Sequence, residues 1–265
     1  MSRLRRQTFS GLLFIKKEMF VKLNNVLNKN TLLLSLVTTT VMLMTACGSD
    51  GDDTGGGYTN TLQAGIYGGT LTPVGQAADT AIGIVTSEGD TAIVDLVTEE
   101  LFIGTASGNS LTGTLYASTA VSSTAEVTNI SGNDISGNYT SSLGGGDFAL
   151  TADPDLYSRT SDLSKLAGVW VDSVFVTATG TSTWNILADG SFTVTTGLGC
   201  NASGTFSTID VTKNEYDVTM TLTDCTIVNG SYTGFAALSD TSNPDDTLTI
   251  VFGNGTVGAM RQPIK

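Results

Sequence analysis

Residues 216–223 alternate without a break: Tyr216, Val218, Met220 and Leu222 are apolar, and Asp217, Thr219, Thr221 and Thr223 are polar. A period of two places one set on each face of a pleated strand. Leu248, Ile250 and Phe252 repeat the pattern, as do Phe192 with Val194 and Phe148 with Leu150. Asp189-Gly190, Glu88-Gly89, Asn229-Gly230 and Asn254-Gly255 punctuate these runs. An acid or Asn followed by Gly marks a tight hairpin turn. The pattern predicts about eight strands in each half of the chain beyond residue 57, and no amphipathic helix.

Short alternating strands joined by tight turns make antiparallel meanders, and one wet face per strand suits a barrel or a sandwich. Closing a barrel also removes the exposed edges that a Thr-rich sheet offers its neighbours. The expected fold is therefore all-β, with two tandem antiparallel β-meander barrel or sandwich domains.

The two-domain expectation rests on a repeat. Ala64-Gly65-Ile66-Tyr67 matches Ala167-Gly168-Val169-Trp170, and Glu88-Gly89-Asp90-Thr91 matches Asp189-Gly190-Ser191-Phe192. Gly113-Thr114-Leu115 is paired with Gly204-Thr205-Phe206, and Gly137-Asn138-Tyr139-Thr140 with Gly230-Ser231-Tyr232-Thr233. Counted from glycine to glycine, the spacings are 24, 24 and 24 in the first copy and 22, 14 and 26 in the second. The short interval implies a missing hairpin arm or long loop. Pro154 and the polar stretch 152–166 place the boundary there, giving domains at 58–157 and 158–265. Ser161-Asp162 is suited to cap one helical turn running to Leu166.

The amino-terminal 57 residues follow a different pattern. Thr31–Met44 is an uncharged, mostly apolar run of fourteen residues, with Lys22 and Lys29 as its positive flank. A bilayer span takes roughly 20 apolar residues, so this run has instead the length of a signal-peptide hydrophobic region. Met44-Thr45-Ala46-Cys47 then resembles a lipobox, the cleavage signal of bacterial lipoproteins, with Met in place of the usual Leu. The resemblance implies cleavage before Cys47, a diacylglycerol on its sulfur and an acylated new amino terminus. Residues 1–46 are thus expected to be a signal peptide, with Met19 the natural start. Gly48 after the cysteine, in place of the Asp typical of inner-membrane retention, implies export to the outer membrane of a Gram-negative bacterium. Residues 47–57 follow as a lipidated, flexible tether without an apolar side chain to pack. The resemblance leaves open whether the protein faces the periplasm or the exterior.

Composition sharpens this expectation. Seven of the twelve bases precede Cys47 with a single acid, Glu18, leaving five bases against 24 acids beyond it, a net charge of −19. Such a surface repels nucleic acid. The membrane, reached through lipid on Cys47, is the one partner the sequence implies. The β plan also resembles small lipocalin-like barrels in bacterial lipoproteins. Gly199-Cys200-Asn201 followed by Ser203-Gly204 is similar to a short motif of the META domain family.

The chain has no histidine, which removes Ser-His-Asp and Cys-His catalysis and the usual zinc and haem ligation. It carries no glycine-rich phosphate loop, Ser-x-x-Lys or Gly-x-Ser-x-Gly. A carboxylate pair is the remaining route to hydrolysis, as in glycosidases, but the acids are scattered through turns. No catalytic residue, metal ligand or cofactor is assigned. Asp153–Asp155 and Asp245-Asp246 are acidic loops with the ligand types for calcium, although no spaced Asp-x-Asp-x-Asp-Gly loop is present.

Cys200 and Cys225 remain after lipidation of Cys47 and lie symmetrically about Thr212-Lys213. If the flanking runs form a hairpin, the two sulfurs meet at its open end, and a disulfide follows in an oxidising periplasm. The alternative is a pair of free buried thiols. Tyr67, Trp170 and Trp184 suit core positions, with the floor of a ligand cavity as the alternative for the first two. The expected function is that of a non-catalytic outer-membrane lipoprotein, a binding or envelope-structural module. The alternatives are a lipocalin-like carrier of a small apolar ligand and a surface-displayed adhesin.

Overall fold

The computed structural model describes residues 61–265 apart from 118, 173–180, 197–198 and 226–227. The expected signal peptide and tether, with Cys47 between them, lie outside the described residues. The fold is all-β, as the alternation predicts, with eight strands in each of two antiparallel sheets among the described residues.

The first sheet contains β1 (Gly65–Pro73), β2 (Asp79–Val85), β3 (Asp90–Asp95), β4 (Leu101–Ser107), β5 (Ser110–Tyr116), β6 (Ala120–Ser131), β7 (Asp134–Ser141) and β8 (Gly144–Ala152). Each strand pairs with the next, and β1 closes the barrel on β8 from Tyr67↔Ala152 to Pro73↔Gly146. Closure leaves this sheet without a free edge. Alternate residues, including Ile93, Phe102, Leu111, Leu115, Ile135, Phe148 and Leu150, fill its interior. A Cβ on Gly137 would come within 2.7 Å of the Phe148 ring, so glycine there lets the aromatic lie across the strand.

Two single-turn helices bridge to the second sheet. Asp153 caps α1 (Pro154–Tyr157) by accepting from Leu156 N, and Pro154 sits in its first turn. Pro is tolerated there because the first helical N–H has no intrahelical partner. Asp162 caps α2 (Leu163–Leu166) through Ser164 N, at the turn expected from the sequence. The turn at Pro154–Tyr157 is additional.

The second sheet contains β9 (Gly168–Asp172), β10 (Ser182–Ile186), β11 (Ser191–Thr196), β12 (Asn201–Thr208), β13 (Tyr216–Thr223), β14 (Gly230–Ser239), β15 (Thr247–Gly253) and β16 (Gly258–Arg261), in sequential order. It is curled into a half-barrel. Val171 on β9 meets Ile264 just beyond β16 at a single bridge, with reciprocal bonds of 2.8 and 2.9 Å. Tyr216, Val218 and Met220 point into its core with Trp170, Trp184, Phe192 and Phe206.

The repeat needs correction at two of its four anchors. Gly65 and Gly168 do open the first strand of each sheet. Tyr67 Oη donates to Gln63 O at 2.6 Å, and Trp170 Nε1 donates to Leu166 O at 2.7 Å, so both aromatics reach back four residues. Gly89 and Gly190 are also equivalent, their carbonyls accepting from Ala106 N and Phe206 N. But Gly113 lies on the fifth strand of its sheet and Gly204 on the fourth, so the positional counterpart of Gly204 is Gly104. Gly137 and Gly230 are likewise one strand apart, on the seventh and sixth strands. The short interval is therefore a slipped match, since both halves have eight strands. Gly104 and Gly113 are direct cross-strand partners, each followed by Thr, which is why the same dipeptide recurs on adjacent strands.

The expectation of one wet face per strand also fails where the sheets meet. All seven positions of β15 are buried, as are the last five of β3. Outward residues Ile84, Ala92, Val94, Leu101 and Tyr116 of the barrel pack with Phe235, Ala237 and Val251 of the second sheet. These form a third apolar core shared by the two sheets. Strands buried on both faces read as continuous apolar runs rather than alternations.

Candidate functional site

Three features among the described residues are candidates for function: the barrel interior, the junction between the sheets and the cysteine pair. The interior cavity is about 40 Å³, and its lining includes Leu71, Ile93, Phe102, Leu115 and Phe148 together with Asp95, Glu100 and Tyr139. That volume is close to the share of liquid occupied by one water, about 30 Å³. Asp95 is buried and committed to its own turn, accepting from Val97 N at 2.8 Å and Thr98 N at 3.0 Å. Burial and then Asp95 raise the pKa of Glu100. Burial, followed by Glu100, Asp95, Asp147 and Asp79, raises that of Tyr139. Two carboxylates thus line the cavity, but one is held by backbone donors and the space between the walls admits no sugar ring.

The junction is fastened by polar groups that sequence reasoning did not single out. Glu215, fully buried just before β13, accepts from Ser87 N at 2.9 Å and from Ser87 Oγ. It also accepts from Tyr157 Oη at 3.0 Å. Burial and then Glu215 raise the Tyr157 phenol well above its ordinary pKa. Asn214 donates through Nδ2 to Leu238 O at 2.7 Å and Leu156 O at 3.2 Å, and Leu238 N donates back to its Oδ1. Adjacent residues thus join the barrel, the linker and the second sheet. Charge parity along β13 assigns Glu215 to the solvent face with Asp217 and Thr219, so alternation carries no signal for its burial. The apolar half of the junction draws on the runs Ala81–Val85 and Phe235–Leu238, which lie outside the alternating strands read from the sequence.

Tyr116 rests on the second sheet. Its hydroxyl accepts from Gly255 N at 3.1 Å, and a Cβ on Gly258 would come within 2.6 Å of its ring. Arg261 on β16 lies 3.8 Å from Asp172. Burial lowers the Arg261 pKa, while Asp172 and Glu99 of the barrel oppose that shift.

The other residues singled out in the sequence fall as follows. Cys200 and Cys225 are joined in a disulfide, Cα atoms 4.5 Å apart, beside the terminal Asn201↔Thr223 pair of the β12–β13 hairpin. Tyr67, Trp170 and Trp184 are buried core residues. Burial pushes the Tyr67 phenol up to about 12. Asp246 accepts from the backbone N–H groups of Thr241, Ser242 and Asn243. Burial opposes ionisation there, but these donors outweigh it and hold the carboxyl well below the usual range. Asp245 pairs with Arg159 at 3.0 Å, and Asp153 caps its helix through Oδ1 alone. No group of three or more acidic or cysteine side chains converges as a metal site among the described residues. Cys47 lies outside them.

The chain matches no known protein family, curated protein or solved structure in these comparisons.

Proposed function

We propose that this protein is a non-catalytic outer-membrane lipoprotein, anchored by lipid on Cys47 and serving as a binding or envelope-structural module. The observation that carries the reading is that both sheets pack their interiors with side chains and share a third apolar core. A filled, fused pair of sheets suits a rigid body that presents outer surfaces. A carrier needs internal space, typically about 300–1,000 Å³ for a small-molecule site, and the barrel holds about 40 Å³. The lipobox resemblance at Cys47 and the excess of acids beyond it support an anchored, soluble body near a membrane.

Intact mass spectrometry of the membrane fraction tests the anchor. The expected species begins at Cys47 and carries a diacylglycerol and an N-acyl chain, and Cys47→Ser leaves the membrane fraction. An unmodified chain still carrying residues 19–46 would overturn the proposal. Protease shaving of intact cells then assigns the face, since digestion at the cell surface favours a displayed adhesin and full protection favours the periplasm.

A further inference from the structure

At one edge of the junction the sheets do not close completely. A cleft of about 230 Å³ opens between β1 and β2 of the barrel, α1, and β14 and β15 of the second sheet. Ile66, Ile82, Leu156 and Ala237 make its walls apolar. Gly68 leaves it open: a Cβ there would meet no atom within 4 Å, and Gly68 pairs directly with Ile82. Any larger side chain at position 68 would project beside Ile82 into this space.

The lip has one charged group. Asp153 lines the cleft, and its Oδ1 accepts from Leu156 N at 2.9 Å, while Oδ2 has no hydrogen-bond partner among the described residues. Across the opening, Gln262 donates through Nε2 to Thr249 Oγ1 at 3.1 Å, which leaves its amide oxygen as a further acceptor. The polar rim therefore offers acceptors and a carboxylate over apolar walls. An apolar cavity of about 150 Å³ accommodates benzene, so 230 Å³ accommodates a benzyl-sized body with a short arm. The overall acidity of the chain raises the local concentration of cations.

We propose that this cleft binds a small primary amine with an apolar or aromatic body, the body between Ile66, Ile82 and Ala237 and the ammonium at Asp153. The inference rests on the binding-module reading and gives it a site and a ligand class.

Saturation-transfer NMR on the detergent-extracted full chain tests it, with benzylamine and benzyl alcohol as probes and empty micelles as the blank. Saturable benzylamine binding is expected, and Gly68→Leu abolishes it. If Gly68→Leu fails to fold, Gly68→Ala provides the same test through a graded loss. Asp153→Asn, which preserves the helix cap, is expected to weaken benzylamine about threefold, the scale of one exposed ion pair, and to leave benzyl alcohol unchanged. Absence of saturable binding, or equal binding in a folded Gly68 variant, would overturn the site. Equal loss of both probes in Asp153→Asn, or benzyl alcohol binding as tightly as benzylamine, would overturn the amine. Neither result bears on the anchor, which mass spectrometry at Cys47 decides separately.

Discussion

Glu215 of the second sheet accepts two hydrogen bonds from Ser87 of the barrel, 128 residues earlier in the chain. Tyr157, on the linker between them, donates a third. A buried carboxylate with three donors is stable only while all three are in place, because each lost partner leaves desolvated charge unmatched. Replacing Glu215 by Ala strands Ser87 and the Tyr157 hydroxyl and is expected to cost about 3 kcal/mol in urea unfolding. Ser87→Ala, which removes only the hydroxyl, is expected to cost about 1 kcal/mol. A loss under 0.5 kcal/mol for Glu215→Ala would show that the contact is incidental.

Asp217 neighbours this carboxylate. Burial, then Glu88, Asp90 and Glu215, raise its pKa. A raised acid favours folding while protonated, and that advantage is lost as pH climbs from the unfolded value, about 3.9, through the folded one. Asp217→Asn should therefore raise the melting temperature at neutral pH, with the gain vanishing below about pH 3.9. A gain independent of pH would contradict the electrostatic origin.

Asp240 behaves in the opposite sense. The Arg159 guanidinium grips it with two bonds of 2.6 and 2.7 Å and pushes its pKa down to about 2. Its contribution is complete above the unfolded value, about 3.9, and is lost as pH falls through about 2. The pair is solvent-exposed, so the effect is small. Melting curves between pH 4 and pH 2 should fall less steeply for Arg159→Leu than for the wild type.

Gly258 and Tyr116 test the packing of the two sheets. Gly258→Ala forces a methyl group against the Tyr116 ring and should cost about 1–3 kcal/mol, as overpacking does. In a Tyr116→Ala background the same substitution should be close to neutral. An equal cost in both backgrounds would place the strain elsewhere.

The disulfide closes a loop with a sequence separation of 25. Removing it with Cys200→Ser and Cys225→Ser together should lower stability by roughly 3–4 kcal/mol on chain-entropy grounds. Adding a reductant to the wild type should produce the same loss, and to the double variant none.

The sequence was most legible where one face of a strand is wet. Tyr216, Val218 and Met220 could be placed from parity alone because Asp217 and Thr219 complete the alternation. Parity could not place Val251, which points away from its own core and is buried by the neighbouring sheet. It also misled over Glu215. A period of two separates faces but does not say what lies against each face, and that information is held in residues far apart in sequence. The repeat slipped for a related reason. Gly-Thr recurs on paired strands, so local similarity does not fix which strand is being matched.

The barrel and the half-barrel form one body through their shared core. Differential scanning calorimetry of the full chain tests this directly. One cooperative transition is expected in the wild type, and two in Val251→Asp, which places a carboxylate in the shared core. Two resolved transitions in the wild type, with one sheet melting well below the other, would contradict it.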